Sequence, residues 1–369
     1  MVKPNNNFIF GDSLILYLIS CTIKLLKDTG DLFMKKYIML FVSVSTLLLG
    51  ACTDDRAGSD DVHNLTLAHN HPTTHPVHES LEKFKEEVEE RSDGDISISL
   101  YPNGELGDER EVIELTQTGA VDITKVSAAA LESFRPEYSI FGVPYMFDSE
   151  EEFEEQMNDP EVANTIYRSS EDIGFVGLTY FDAGMRSIYT AEREIETAED
   201  MAGLKVRVQP SATSVDMIET LGGTPTPMAY GEVYTALQSG IIGAAENNLT
   251  SLVSSGHGEV SDHWFYTEHA IVPDMLIINN QLLEGMSEEH QEIIQDAADV
   301  ANEFHKGVWD EATKEAAEEA QNDMNVEFHE VDKSSFKEAA QPLHEEMKND
   351  ETMAPIYELF RGDDSDGEN

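Results

Sequence analysis

The sequence predicts an α/β protein of two domains, and three observations carry that expectation. Apolar alternation and helical periodicity follow one another as β-α-β-α-β between residues 65 and 126, the order of a mostly parallel sheet. The chain of 369 residues, even without its leading segments, is long enough for two cores. Ser287-Glu288-Glu289 caps a helical stretch that reaches Asp323. At 1.5 Å per residue it would span roughly 54 Å, enough to lie across both domains.

The leading segments stand apart from the fold. Residues 1–33 hold an apolar run and Cys21, and read as an upstream extension from a wrongly assigned start. Residues 34–51 have the layout of a secretory signal: Met34-Lys35-Lys36, an apolar run, then Leu49-Gly50-Ala51 before Cys52. That ending resembles a bacterial lipobox, which would make Cys52 the lipidated N-terminus and the membrane anchor of an extracytoplasmic protein. Residues 52–63 are polar and acidic, a flexible tether. With Cys52 lipidated no cysteine pair remains, so packing must supply the stability.

From residue 65 the elements follow in order. A strand at 65–68 leads through a loop of histidines and prolines to a helix marked by Val77, Leu81, Phe84 and Val88. A strand at 96–100, a helix around Val112 and Leu115, and a strand at 121–126 complete the first sheet. Ser127 then sits at a strand's carboxyl end, where open α/β sheets bind ligands. An acidic helix at 149–158 and a strand at 174–178 follow. Asp182-Ala183-Gly184 reads as a crossing into a new strand at 185–189. Residues 204–208 form a strand, Ser211 caps a helix, and 224–227 read as a turn. A helix at 231–239 and a short run ending in Glu246-Asn247-Asn248 come next. Strands flank Val272-Pro273, and after the long helix come a strand at 326–331 and two helices. Residues 362–369 are an acidic, disordered tail.

Charge and motifs exclude several functions. Twenty-three basic residues against 73 acidic ones give a net charge of −50, which disfavours nucleic acid and anionic membrane surfaces. The acids are spread along the chain without a Ca²⁺-loop pattern, as on a halophilic surface that salt screens. No G-x-S-x-G, Walker A or H-E-x-x-H pattern occurs, so no catalytic residue, no enzymatic activity and no cofactor is expected. His71 and His75 are four apart, but Pro72 and Pro76 oppose a helix there. A metal-binding receptor stays an alternative, with no metal ligand assigned.

Two arginines stand out because each lies among apolar strand residues, Arg207 in 204–208 and Arg186 in 185–189. A buried unpaired charge is costly, so either has an internal acidic partner or awaits a ligand carboxylate, whose two oxygens match the guanidinium fork. Asn247 could donate its amide to the same carboxylate, and Tyr230 could add an apolar face with a polar edge.

The motifs around these residues resemble one family. Asp182-Ala183-Gly184-Met185-Arg186, residues 198–208 (AEDMAGLKVRV), Pro225-Thr226-Pro227-Met228, residues 232–238 (EVYTALQ) and Glu246-Asn247-Asn248 are similar to the substrate-binding proteins of tripartite ATP-independent periplasmic (TRAP) transporters. The resemblance spans residues 65–331. It implies a periplasmic-binding-protein-like fold of two lobes, with crossing strands and a long helix spanning both. Lobe I would comprise 64–183 and 273–311, and lobe II 184–272 and 312–361. It further implies a monomeric receptor that hands an organic acid to a membrane permease. The family's principal carboxylate-binding arginine falls on Arg207, its second arginine on Arg186 and its asparagine on Asn247. The His71 loop and Ser127 would complete the site from lobe I. His71-Pro72, Ser127, Ser254-Ser255-Gly256-His257 and Thr267-Glu268-His269 resemble a branch that binds hexuronates such as galacturonate or glucuronate. A C4-dicarboxylate is the alternative ligand. Gly243-Ala244-Ala245 departs from the family's Asp-Gly pattern at that strand end.

Overall fold

A computed structural model describes residues 63–361, which lie in one compact unit, Asp61–Asn369. The expectations for 1–62, including the signal segment and Cys52, and for 362–369 lie outside the described residues.

Lobe I starts from β1 (His63–Ala68), whose Leu65 and Leu67 are buried. Helix α1 (Pro76–Arg91) begins at Pro76, where a missing N–H costs nothing, with His75 as its cap. β2 (Ile96–Tyr101) pairs parallel to β1. Helix α2 (Glu109–Thr118) opens on an Asp108/Glu111 capping box and stops at left-handed Gly119. Residues 120–122 then complete the exit from α2, with Ala120 and Val121 donating to Leu115 O. The next strand, β3 (Ile123–Ser127), therefore starts two residues later than expected. β4 (Phe175–Phe181) is buried throughout.

Lobe II is built from β5 (Met185–Thr190), β6 (Lys205–Val208), α3 (Ala212–Thr220), β7 (Thr224–Pro227), α4 (Val233–Gln238), β8 (Ala244–Asn247) and α5 (Leu249–Ser254). Residues 224–227 are thus a strand and not the expected turn. β7 is an edge strand paired only with β6, so Pro225 and Pro227 lose no hydrogen bond that a central strand would need. β9 (His263–Ile271) and β10 (Asp274–Asn279) follow. The long helix α6 (Glu288–Asn322), β11 (Glu327–His329), α7 (Lys333–Asn349) and α8 (Ala354–Arg361) end the described chain. The strand expected at 326–331 is confined to three residues.

The strands form two sheets, ordered β2-β1-β3-β10-β4 and β11-β9-β5-β8-β6-β7. β10 returns antiparallel between β3 and β4. Short crossings at 182–184 and 272–273 link the sheets, the first as read from Asp182-Ala183-Gly184, and α6 carries the chain across a third time, from β10 to β11. Gly184 has φ 62°, and a Cβ there would lie 3.2 Å from Trp309 Nε1 on α6. Both the backbone angle and the space call for glycine. Capped by Ser287, α6 packs on α1 and β4 of lobe I and on α5 of lobe II. This is the two-lobed periplasmic-binding-protein architecture.

The α1–α6 contact is close because α6 presents Ala297, Ala298 and Ala301 to the core around Leu81, Phe84 and Val88. Ala301 is fully buried. Ala301→Leu is expected to cost about 1–3 kcal/mol through overpacking, measured by urea denaturation. An unchanged midpoint would show that the helices have slack.

Candidate functional site

The carboxyl end of β3, the two crossings and the ends of β5, β6 and β8 converge on a cleft between the lobes. Its lining includes His71, Ser127, Arg186, Arg207, Tyr230 and Asn247, all six residues expected from the sequence. It also includes Asn70, Glu109, Gln209 and Asp274, which sequence reasoning missed. A larger concavity of about 490 Å³ lies on lobe I, lined by Tyr167, Thr179, Asn302 and Lys306. Its one ammonium is paired with Glu154 and Glu303, so size does not make it the better candidate.

Three buried cations lie in or directly behind the cleft, and their pairing differs. Lys125, fully buried on β3, contacts Asp274 Oδ2 at 3.0 Å and Asn70 Oδ1 at 2.9 Å. Asp274 also meets His71 Nε2 at 3.2 Å. Burial alone would raise the Asp274 pKa, but the Lys125 charge and the His71 hydrogen bond hold it well below the carboxylate range.

Arg186 is engaged in the same way. Its Nε donates to Glu246 Oε2 at 2.6 Å, and Nη2 donates to Glu246 Oε1 and Glu246 O, each at 2.9 Å. Its Nη1 donates to Asn247 Oδ1 at 2.8 Å. Burial opposes ionisation of Glu246, yet the Arg186 charge and His269 outweigh it and bring the pKa to about 2. One N–H of the five on this guanidinium is left over.

Arg207 has no such partner. It is 2% exposed, and its Nε and Nη2 donate only to the carbonyl of Met228, at 3.2 and 3.0 Å. Among the described residues no carboxylate lies within ion-pair distance of it. Its Cζ sits 6.0 Å from the Tyr230 ring centroid, a weak cation–π contact. Burial lowers its pKa from the ordinary arginine value. The two readings of a strand arginine therefore separate: Arg186 holds the internal salt bridge, and Arg207 has the free fork.

Polar groups surround that fork. Asn247 Oδ1 accepts from Arg186 and from its neighbour Asn248 N, which leaves its Nδ2 able to donate. Tyr230 holds Ser255 Oγ at 2.5 Å and sets its ring edge-on to His71. Ser127 donates its backbone N–H to Glu109 Oε1 at 2.8 Å, and burial raises the Glu109 pKa. His71 and His75 stack at 3.8 Å, nearly parallel. A turn, not a helix, brings them together, and their nitrogens diverge toward Asp274, Val77 N and Thr250, so they do not form a metal site.

A buried guanidinium without a carboxylate in ion-pair distance has the chemistry to take up an anion. Residues 67–351 match the family described as bacterial extracellular solute-binding protein, family 7. The chain belongs to that family. It is a DctP-type receptor of TRAP transporters, an extracytoplasmic binding protein and not an enzyme. A TRAP solute-binding protein of Anaerococcus prevotii with bound α/β-D-glucuronate is 40% identical, with a TM-score of 0.79, covering 82% of this chain and 99% of its own. One from Sulfitobacter sp. with bound β-D-galacturonate is 32% identical, with a TM-score of 0.78, covering 81% and 100%. By sequence the chain is also 38% identical to the uncharacterized protein YiiZ of Salmonella typhimurium, over 87% of this chain and 97% of that one.

The residues missed in this receptor had partial signals. Lys125 lies inside the apolar run Ile123-Thr124-Lys125-Val126, the same anomaly that drew notice to the arginines. Asp274 follows Pro273 at the head of a strand, and nothing local marks it as the partner of a lysine 149 positions away.

The cleft and its hinge also shape the receptor's response to acid. Burial lowers the pKa of His71 and His305 to about 4 and of His257 to about 3. Unfolded, these imidazoles protonate near 6.5. Between pH 6.5 and 4 the unfolded chain therefore binds more protons, and stability falls on acidification by up to about 1.4 kcal/mol per pH unit for each histidine. Asp182, pushed up to about 6 by burial, opposes this for one proton. The urea midpoint is expected to drop from pH 6.5 to pH 4, and His305→Gln to flatten the drop. Parallel profiles for variant and parent would remove His305 from this account.

Proposed function

We propose that the receptor binds a hexuronate such as glucuronate or galacturonate through an arginine–carboxylate clamp. The observation that carries this is the charge balance of the cleft. Lys125 and Arg186 already face Asp274 and Glu246, while among the described residues no carboxylate lies within ion-pair distance of Arg207. One free cation suits a ligand with one carboxylate. A C4-dicarboxylate would bring a second negative charge to a cleft whose other cations are paired. The polar groups around the fork, Asn70, Glu109, Gln209 and Asp274, suit the hydroxyls of a sugar ring. The two similar proteins carrying glucuronate and galacturonate support the same choice.

In this reading Arg207 holds both carboxylate oxygens, Asn247 Nδ2 and the remaining Arg186 N–H add donors, Tyr230 lies against the ring, and His71 and Ser127 close the site from lobe I. The space between these groups is about 30 Å³, little more than a water or two can use. Entry of a sugar acid thus requires the lobes to part about the crossings, a hinge motion. The loaded receptor, a monomer tethered by lipid on Cys52, then passes its ligand to the TRAP permease. Its acidic surface suits high salt.

Calorimetry in high salt tests the clamp and the ligand together. Arg207→Ala should weaken glucuronate binding by about 3–5 kcal/mol, the cost of stripping one partner from a buried charge pair. Arg207→Lys should also bind more weakly, because an ammonium lacks the planar fork. Equal affinity in the lysine variant would sink the clamp. Thermal stabilisation of the parent by succinate or malate, with none by either uronate, would sink the hexuronate assignment.

A further inference from the structure

We propose that lobe II carries a zinc-binding site at its sheet edge, formed by His263, Glu327 and His329. The alternation of strand residues places them together. β11 pairs parallel to β9 with Glu327 opposite His263, Phe328 opposite Trp264 and His329 opposite Phe265. Phe328 and Trp264 turn to one face of the sheet, their rings 6.2 Å apart. Glu327 and His329, two apart on one strand, therefore share the other face with His263.

The donor atoms converge on one point. His263 Nδ1 and His329 Nε2 are 3.0 Å apart, and Glu327 Oε2 lies 3.9 Å from the first and 4.0 Å from the second. Donors bound to one tetrahedral zinc at the usual bond lengths stand roughly 3.3–3.5 Å apart, so small side-chain rotations suffice. His329 is held by stacking on Phe265 at 4.9 Å. The chemistry of the set selects the ion: two imidazoles with one carboxylate favour Zn²⁺ over Ca²⁺ or Mg²⁺, which require oxygen cages. Among the described residues this is the only group of three such side chains close enough to share an ion.

Before an ion arrives, one of the two facing nitrogens donates its hydrogen to the other. Zinc needs a lone pair from both, so the donating imidazole moves its proton to its other ring nitrogen and stays neutral. The side chain of Glu327 is 72% exposed, which gives the ion access and leaves the fourth position to water. The bound ion would clip β11, the link between α6 and α7, onto the sheet of lobe II.

The test is calorimetric titration of ZnCl₂ into the untagged, chelator-stripped full chain. High salt and excess Ca²⁺ suppress adventitious binding to the acidic surface. One Zn²⁺ per chain is expected, with a rise in unfolding temperature. His263→Ala and His329→Ala should each weaken binding by about a hundredfold or more, beyond what loss of an outer-shell partner costs, while glucuronate binding is retained. If an alanine variant fails to fold without metal, His329→Gln keeps the side-chain volume and removes the imidazole. Co²⁺ in place of zinc should give the visible absorption of a tetrahedral site in the parent and not in His329→Gln. Absence of stoichiometric zinc binding by the parent, or equal binding by the His263/His329 double variant, overturns the site.

Discussion

A cation buried in the cleft must be neutralised by something, and the rest of the site is arranged around that requirement. Lys125, Arg186 and Arg207 are each at most 4% exposed. Leaving such a charge unpaired in a low-dielectric interior is expensive. Two of them find carboxylates that the fold supplies, Asp274 and Glu246. The third does not, and the cost of burying it is borne by the packing of two lobes. In the proposed reading that imbalance favours an anion, since a ligand carboxylate would complete a pair that the protein leaves open.

The architecture explains why the imbalance can be located so exactly between the lobes. Asp274 heads β10 immediately after one crossing, and Arg186 is the second residue of β5, just after the other. The residues that neutralise or expose charge therefore sit on the segments about which the lobes would turn. Ser127 ends β3 and caps the short helix Ala128–Leu131, and Asn248 caps α5 while its side chain donates to Ala183 O at 2.8 Å. Strand ends and helix caps, whose polar groups the sheets do not satisfy, furnish most of the neutral hydrogen-bonding groups of the cleft. The long helix α6 ties both lobes from behind, with Trp309 against Gly184.

Most elements were legible in the sequence because their signals are local. Val77, Leu81, Phe84 and Val88 mark α1 by their spacing, and Ser211 and Ser287 cap the helices they were expected to cap. The failures share one cause. Thr224-Pro225-Thr226-Pro227 carries the composition of a turn, and only its place at the edge of the sheet makes it a strand. His71 and His75 are close although no helix joins them, because the loop folds back on itself above β10. The strand read at 326–331 is held to Glu327–His329, because only those residues pair with β9.

The candidate site residues divide along the same line. The chain by itself determined that two arginines lie in apolar strands and that an asparagine ends a third, because burial and strand periodicity are written in neighbouring residues. It also determined the family, through motifs spread over most of its length. It did not determine which arginine is structural. That depended on Glu246, which the pairing of β5 with β8 sets across from Ile188, two positions along the strand from Arg186, and on no carboxylate among the described residues lying within ion-pair distance of Arg207. Charge pairing is a matter of distance in space, and for groups 60 residues apart only the tertiary structure decides it.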